Sequence, residues 1–84
     1  MFLRGRVVDA STHRGVPLTC IAIGVLTCAG APTTDANGFF EIPLSGGQAW
    51  DIRFIKNGYG TYLLRLTSVR AGTFTIPDIE LRSR

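Results

Sequence analysis

Thr34-Asp35-Ala36-Asn37-Gly38-Phe39-Phe40-Glu41-Ile42 carries the strongest signal of fold class, because a turn-forming Asx-Gly pair runs straight into alternating residues with one apolar face. Asn37-Gly38 tolerates the positive φ angles of a tight turn, and the Asp35 carboxylate can accept from the backbone two residues on, so the turn is specified locally. The segment after Gly38 reads as a half-buried strand with Phe40 and Ile42 on one face and Phe39 and Glu41 on the other.

On either side of this stretch the same pattern repeats as short strands separated by turn signals about every 8–12 residues, with no useful helical periodicity, which is the rhythm of an all-β sandwich. The first strand spans Phe2 to Asp9, with Leu3, Gly5 and Val7 facing one way and Arg4, Arg6 and Val8 the other. A loop from Ala10 to Gly15 ends it, and the second strand runs from about Leu18 to Val25. Phe39 to Leu44 is the third, stopped by Ser45-Gly46-Gly47. In the fourth, Trp50, Ile52 and Phe54 alternate with Asp51 and Arg53 before Asn57-Gly58. Thr61 to Val69 and Phe74 to Leu81 are the last two, separated by Arg70-Ala71-Gly72. Pro77 has no N–H to give a ladder, so the final stretch is expected to be an edge strand or to be bulged there.

The 84 residues suffice for one domain, and a chain of this size hides only about 60–65% of its unfolded surface. Hydrophobic residues make up 45% of it, punctuated by four prolines and ten glycines; that composition describes a packed, turn-rich globule rather than a disordered chain. Nine basic residues against six acidic ones leave a net charge of +3, scattered singly, which supplies no field suited to nucleic acid. Gly15 to Thr34 carries no charge. Pro17 and Pro32 bracket it and Gly24 and Gly30 interrupt it, so its apolar part falls short of the roughly 20 residues a bilayer requires and membrane insertion is not expected. Met1 to Arg6 shows no apolar segment or cleavage site of a signal peptide.

Two cysteines, Cys20 and Cys28, do not define a disulfide framework. If Cys20 to Val25 is a continuous strand, Ile21, Ile23 and Val25 face the core, Cys20 points the other way and Cys28 falls too far off for a bond. Two free thiols are then expected, and a disulfide requires the chain to double back near Gly24.

Candidate chemistry is sparse. Asp9, Ser11 and His13 are a triad by type, yet they lie within five consecutive residues, where a turn is the simpler reading, because a working triad converges from separate segments. His13, Cys20 and Cys28 match no zinc spacing. Asp35-x-Asn37-Gly38 with Glu41 resembles part of a calcium loop, but Leu44 stands where the bidentate carboxylate would be needed. No catalytic residue, metal or cofactor is expected.

The succession Gly5-x-Val7-x-Asp9, Thr12, Pro17-Leu18, Ile21-x-Ile23-x-Val25, Thr34-Asp35-x-Asn37-Gly38-x-Phe40, Gly47-x-x-Trp50-x-Ile52-x-Phe54, Gly58-Tyr59 and Ile79-x-Leu81 resembles the carboxypeptidase regulatory-like domains. The likeness runs from Leu3 to Leu81 and is most specific in Thr34, Asp35, Asn37, Gly38 and Phe40 with the later Gly-Tyr. It implies a seven-stranded antiparallel Greek-key β-sandwich of transthyretin-like type, occupying residues 1–84. The family's members serve as accessory modules of carboxypeptidases, of envelope transporters and of secreted or surface proteins, so an extracytoplasmic parent protein is implied. Trp50 replaces the usual Tyr, and Pro77 interrupts the last strand. Relatives with chemistry are not matched. The purine-pathway hydrolases need several histidines and a terminal Tyr-Arg-Gly-Ser, whereas this chain has one histidine and ends Leu81-Arg82-Ser83-Arg84; the isopeptide-linked adhesins need a first-strand lysine, and Lys56 is the sole lysine.

Surface recognition remains. Strand parity places Phe2, Val8, Phe39, Ile55 and Leu63 opposite the core-facing sets, and Tyr62 is expected to be exposed. These six form the candidate interaction surface, for a protein partner, a domain of the parent protein or a second copy. Trp50, Tyr59 and Tyr62 could instead stack on sugar rings, making a carbohydrate module the alternative. Arg4, Arg6 and Arg53 share outward parity and suggest a mild basic face.

Overall fold

The computed structural model describes residues 2–45, 49–67 and 72–84. Gly46 and Gly47, the end of the fifth expected strand at Ser68 and Val69, and the Arg70-Ala71 turn lie outside the described residues. The fold is all-β, with no helix among the described residues and therefore none long and apolar enough to cross a membrane. Among the described residues seven strands form two sheets: β1 (Phe2–Asp9), β2 (Cys20–Ile23), β3 (Phe39–Pro43), β4 (Trp50–Ile55), β5 (Tyr62–Leu66), β6 (Thr73–Thr75) and β7 (Ile79–Leu81). One sheet has the order β3-β1-β6, with β7 also on β1, and the other the order β2-β4-β5.

Alternation explains which side of each sheet is apolar. Leu3 and Val7 of β1, Phe40 and Ile42 of β3, and Ile79 and Leu81 of β7 share one core with Ile21 of β2 and Ile52 and Phe54 of β4. The Phe40 and Phe54 rings meet across the two sheets with centroids 5.3 Å apart, within the range of favourable tilted aromatic pairs. Gly5 is required beneath Phe40, since a Cβ there would lie 2.6 Å from the ring's Cζ.

The expectation of an entirely antiparallel fold is corrected. β1 pairs antiparallel with β3 but parallel with both β6 and β7. Parallel neighbours need a long crossover, and the chain between β1 and β6 supplies it, running through β2 of the second sheet, β3 of the first, and β4 and β5 of the second. Phe74 to Leu81, expected as one strand, is two, β6 and β7, separated by a bulge. β6 pairs Phe2 with Thr73 and β7 pairs Val7 with Ile79, so the register gains one residue between them. The extra residue falls at Ile76-Pro77-Asp78, where proline cannot donate.

The second strand is shorter than expected. It stops at Ile23, and Gly24 adopts φ +68°, turning the chain back toward β2. Residues 32–34 then lie alongside β2, with Ile21 N–H donating to Pro32 C=O at 2.9 Å and Thr34 N–H to Thr19 C=O at 3.1 Å. The doubled-back loop brings Cys28 to Cys20, and the two form a disulfide with Cα atoms 5.9 Å apart. The expectation of free thiols is therefore wrong, and the reversal at Gly24 is the reason. Cys20 does point away from the core as expected; it is buried with Ala22 on the outer face of β2, where the disulfide pins the loop.

Candidate functional site

The Asp35–Gly38 turn is built by its own side chain. Asp35 Oδ1 accepts from the N–H groups of Asn37 and Phe39, both at 2.9 Å, and Gly38 takes φ +83°. Gly38 C=O then accepts from Val7 N–H at 2.7 Å, joining the turn to β1. Backbone packs on backbone here: a Cβ on Gly38 would sit 2.3 Å from Val7 O, and one on Gly15 would overlap Asn37 O. Thr34 is buried with Thr19; its hydroxyl donates to Val16 C=O at 2.7 Å and accepts from Thr19 N–H at 2.9 Å. Thr34, Asp35, Asn37, Gly38 and Phe40 are thus positioned as the scaffold of β3.

The carboxylates that a calcium loop would use have other partners. Glu41 accepts from Arg4 Nε at 2.5 Å, and Asp35 is held within the turn. Among the described residues no group of three or more His, Cys, Asp or Glu side chains is arranged to hold a metal ion.

Asp9, Ser11 and His13 do not assemble. Asp9 Oδ1 accepts from the backbone N–H groups of Ser11 and Thr12 at 2.7 and 3.0 Å, while Oδ2 accepts from the Tyr59 hydroxyl at 2.7 Å. The Tyr59 bond, with those two N–H groups next in weight, holds the Asp9 carboxyl below the usual carboxylate range; the same carboxylate raises the Tyr59 phenol above its ordinary value. His13 Nδ1 faces Glu80 instead, at 3.6 Å and exposed to solvent. The arrangement ties the Ala10–Gly15 loop to the Asn57-Gly58 turn and offers no nucleophile aligned by a base.

The six candidate interaction residues divide between opposite sides of the molecule. Phe2 and Phe39 lie on the outer face of the first sheet, 47% and 51% exposed. Ile55 and Leu63 lie on the outer face of the second, where Ile55 is half-buried opposite Cys20 and Leu63 is exposed. Tyr62 has inward parity, its ring 6.3 Å from Phe54 in an edge-on arrangement, but it stands at an open sheet edge and is partly exposed. Val8 is a correction: it is 1% exposed. Parity points it outward, but β1 there has passed the end of β3 and lies between Glu80 of β7 and a bridge to Gly15, so the loop after β1 encloses it. The basic face is likewise corrected, since Arg4 and Arg6 belong to the first sheet and Arg53 to the second.

Exposed apolar residues that sequence reasoning placed in a buried strand, or did not single out, are Leu18, Val25, Leu26 and Phe74. Gly24 was the available signal for Val25 and Leu26, because a left-handed residue ends a strand. Of the sugar-stacking candidates, Trp50 is half-buried with Nε1 donating to Ser45 C=O at 3.1 Å, and Tyr59 is held by Asp9; Tyr62 alone retains a partly free ring.

Across the outer face of the first sheet the register aligns Pro43 with Phe2, Glu41 with Arg4, and Phe39 with Arg6. Arg6 lies 5.0 Å over the Phe39 ring and donates through Nε to Asn37 C=O at 3.0 Å. An open groove of about 470 Å³ runs beside these residues toward Thr75 and Asp78. The face therefore offers fixed aromatic surface next to an internally neutralised ion pair. Set against known proteins, the chain matches no family model and no curated sequence.

Proposed function

We propose that this chain is a non-catalytic accessory module of the transthyretin-like, carboxypeptidase regulatory-like kind that docks onto a larger protein. The observation that carries the reading is the outer face of the first sheet, where Phe2 and Phe39 are both about half exposed around the Arg4–Glu41 pair and the groove. Ordered aromatics with a polar surround suit a protein interface. Arg6 is held in place over Phe39, so little side-chain freedom is left to lose on docking. The Thr34–Phe40 motif and the two-sheet arrangement support the family assignment. The pairing of β1 with β3 and with the last two strands, rather than with β2, supports a Greek-key path. The Cys20–Cys28 disulfide supports an oxidising, extracytoplasmic setting.

A photo-crosslinking residue at position 39, installed in the chain in its native host, tests the docking face. One discrete adduct with another protein, lost when Phe2→Ser is added, supports the reading. Absence of any adduct overturns it. Retardation of the chain by a polysaccharide in affinity electrophoresis would favour the carbohydrate alternative instead.

A further inference from the structure

The four sheet edges are not treated alike. The outer edge of β2 is covered by residues 32–34 through Ile21 N–H to Pro32 C=O and Thr34 N–H to Thr19 C=O. On β3, Phe39 exchanges both of its outward groups with Asp35, and Pro43 has no N–H. The edge formed by β6 and β7 is three residues plus three, broken at the Pro77 bulge. Each is a recognised means of blunting an edge.

Among the described residues nothing of this kind covers β5, and its outward groups can be identified. Ile23 stands opposite Ile52, so Gly24 stands opposite Asp51, and Gly24 N–H donates to Asp51 C=O at 2.8 Å. Backbone groups alternate sides along an antiparallel strand, so those of Asp51, Arg53 and Ile55 face β2 while those of Trp50, Ile52 and Phe54 face β5. Leu66, Leu64 and Tyr62 therefore bond to β4, and the N–H and C=O groups of Leu63 and Arg65 point outward. No backbone group among the described residues meets them. The strand's side chains, Tyr62-Leu63-Leu64-Arg65-Leu66, carry one charge, and that charge is already engaged by Asp51 at 3.5 Å.

We propose that β5 pairs antiparallel with β5 of a second copy, about a twofold axis at Leu64. This goes beyond the docking role above and uses the other sheet. A bare row of strand donors and acceptors is matched by another strand, and this strand matches itself. Centred on Leu64, Leu63 and Arg65 exchange hydrogen bonds with Arg65 and Leu63 of the second copy, so no like charges are opposed. Centring on Arg65 would set arginine against arginine. Tyr62 meets Leu66 and Leu64 meets Leu64 on the inner face, which continues the half-buried stripe of the core across the axis. The assembly closes at two copies, because the joined sheet ends on both sides at a β2 already covered by residues 32–34.

Light scattering on the full chain over a hundredfold concentration range, together with cysteine scanning, decides the matter. The mass is expected to double with concentration. Under mild oxidation Leu64→Cys is expected to link to itself between copies, because that pair is not hydrogen-bonded and brings its Cβ atoms close, whereas Leu63→Cys faces Arg65 and is not. Leu63→Lys, at an exposed position, opposes Arg65 twice and is expected to weaken the dimer about tenfold, with its circular dichroism unchanged. A monomer at every concentration overturns the proposal, as does a dimer that ignores Leu63→Lys or links no better through position 64 than through 63. None of these outcomes depends on the crosslink at Phe39.

Discussion

Two reversals of the chain, Asp35–Gly38 and Gly24–Ala31, are held by opposite means. The first is fixed by a carboxylate that caps its own backbone and by a glycine fitted against β1. In the second, Gly30 has open space around its missing Cβ and Val25 and Leu26 are exposed; its anchor is a covalent bond to β2. A turn read by its own side chains is visible in sequence, whereas one held by a bond to another element is visible only once the two ends are close.

The largest effect should come from the tighter reversal. Gly38→Ala places a methyl group 2.3 Å from Val7 O at φ +83° and is expected to cost more than about 3 kcal/mol in urea unfolding. Gly30→Ala, at φ +71° but with open space, should cost only about 1 kcal/mol; equal losses would erase the contrast.

Replacing both Cys20 and Cys28 with alanine removes a cross-link of sequence separation 8, for which loop-closure entropy suggests a loss of about 2.5 kcal/mol. Hydrogen exchange should rise in residues 24–31 and at Ile21, whose N–H donates to Pro32 C=O, with the Asp35–Gly38 turn still protected. Loss of protection at both reversals would mean that they form one unit.

Asp35→Ala removes acceptors for Asn37 and Phe39 N–H and is expected to cost about 1–2 kcal/mol, read by the same unfolding assay. Here only the local half of the first reversal is broken, since the fit at Gly38 remains.

The smallest effect concerns Asp9, whose turn combines both strategies: one oxygen caps Ser11 and Thr12 locally and the other reaches Tyr59. The Asp9 carboxyl is lowered from its ordinary 3.8, so its contribution is complete above that value and is lost as pH falls through the lower folded one. The Tyr59 phenol is raised from 10.0, so its contribution is present below pH 10 and is lost above it. Tyr59→Phe should flatten both limbs of a Tm against pH curve; unchanged limbs would show that the pair has no energetic role.

Much of the fold was legible because one face of each strand is buried. Leu3, Gly5 and Val7 in β1, Phe40 and Ile42 in β3, and Ile52 and Phe54 in β4 all lie inward as alternation requires. Val8 escaped because the loop after β1 covers it, which parity does not encode. The candidate surface was legible residue by residue but not as a surface: Phe2 and Leu63 both point outward, yet from different sheets.

By itself, the sequence determined what depends on near neighbours: the turn at Asp35–Gly38, the faces of the central strands, and the break at Pro77, because carboxylate caps, side-chain alternation and a missing N–H act within a few residues. Tertiary structure decided the parallel pairing of β6 and β7 with β1, the Cys20–Cys28 bond, the burial of Val8 and which edge stays open. Each depends on which distant segment arrives alongside, and that is settled by the joint burial of apolar faces across the whole chain rather than by any one stretch of it.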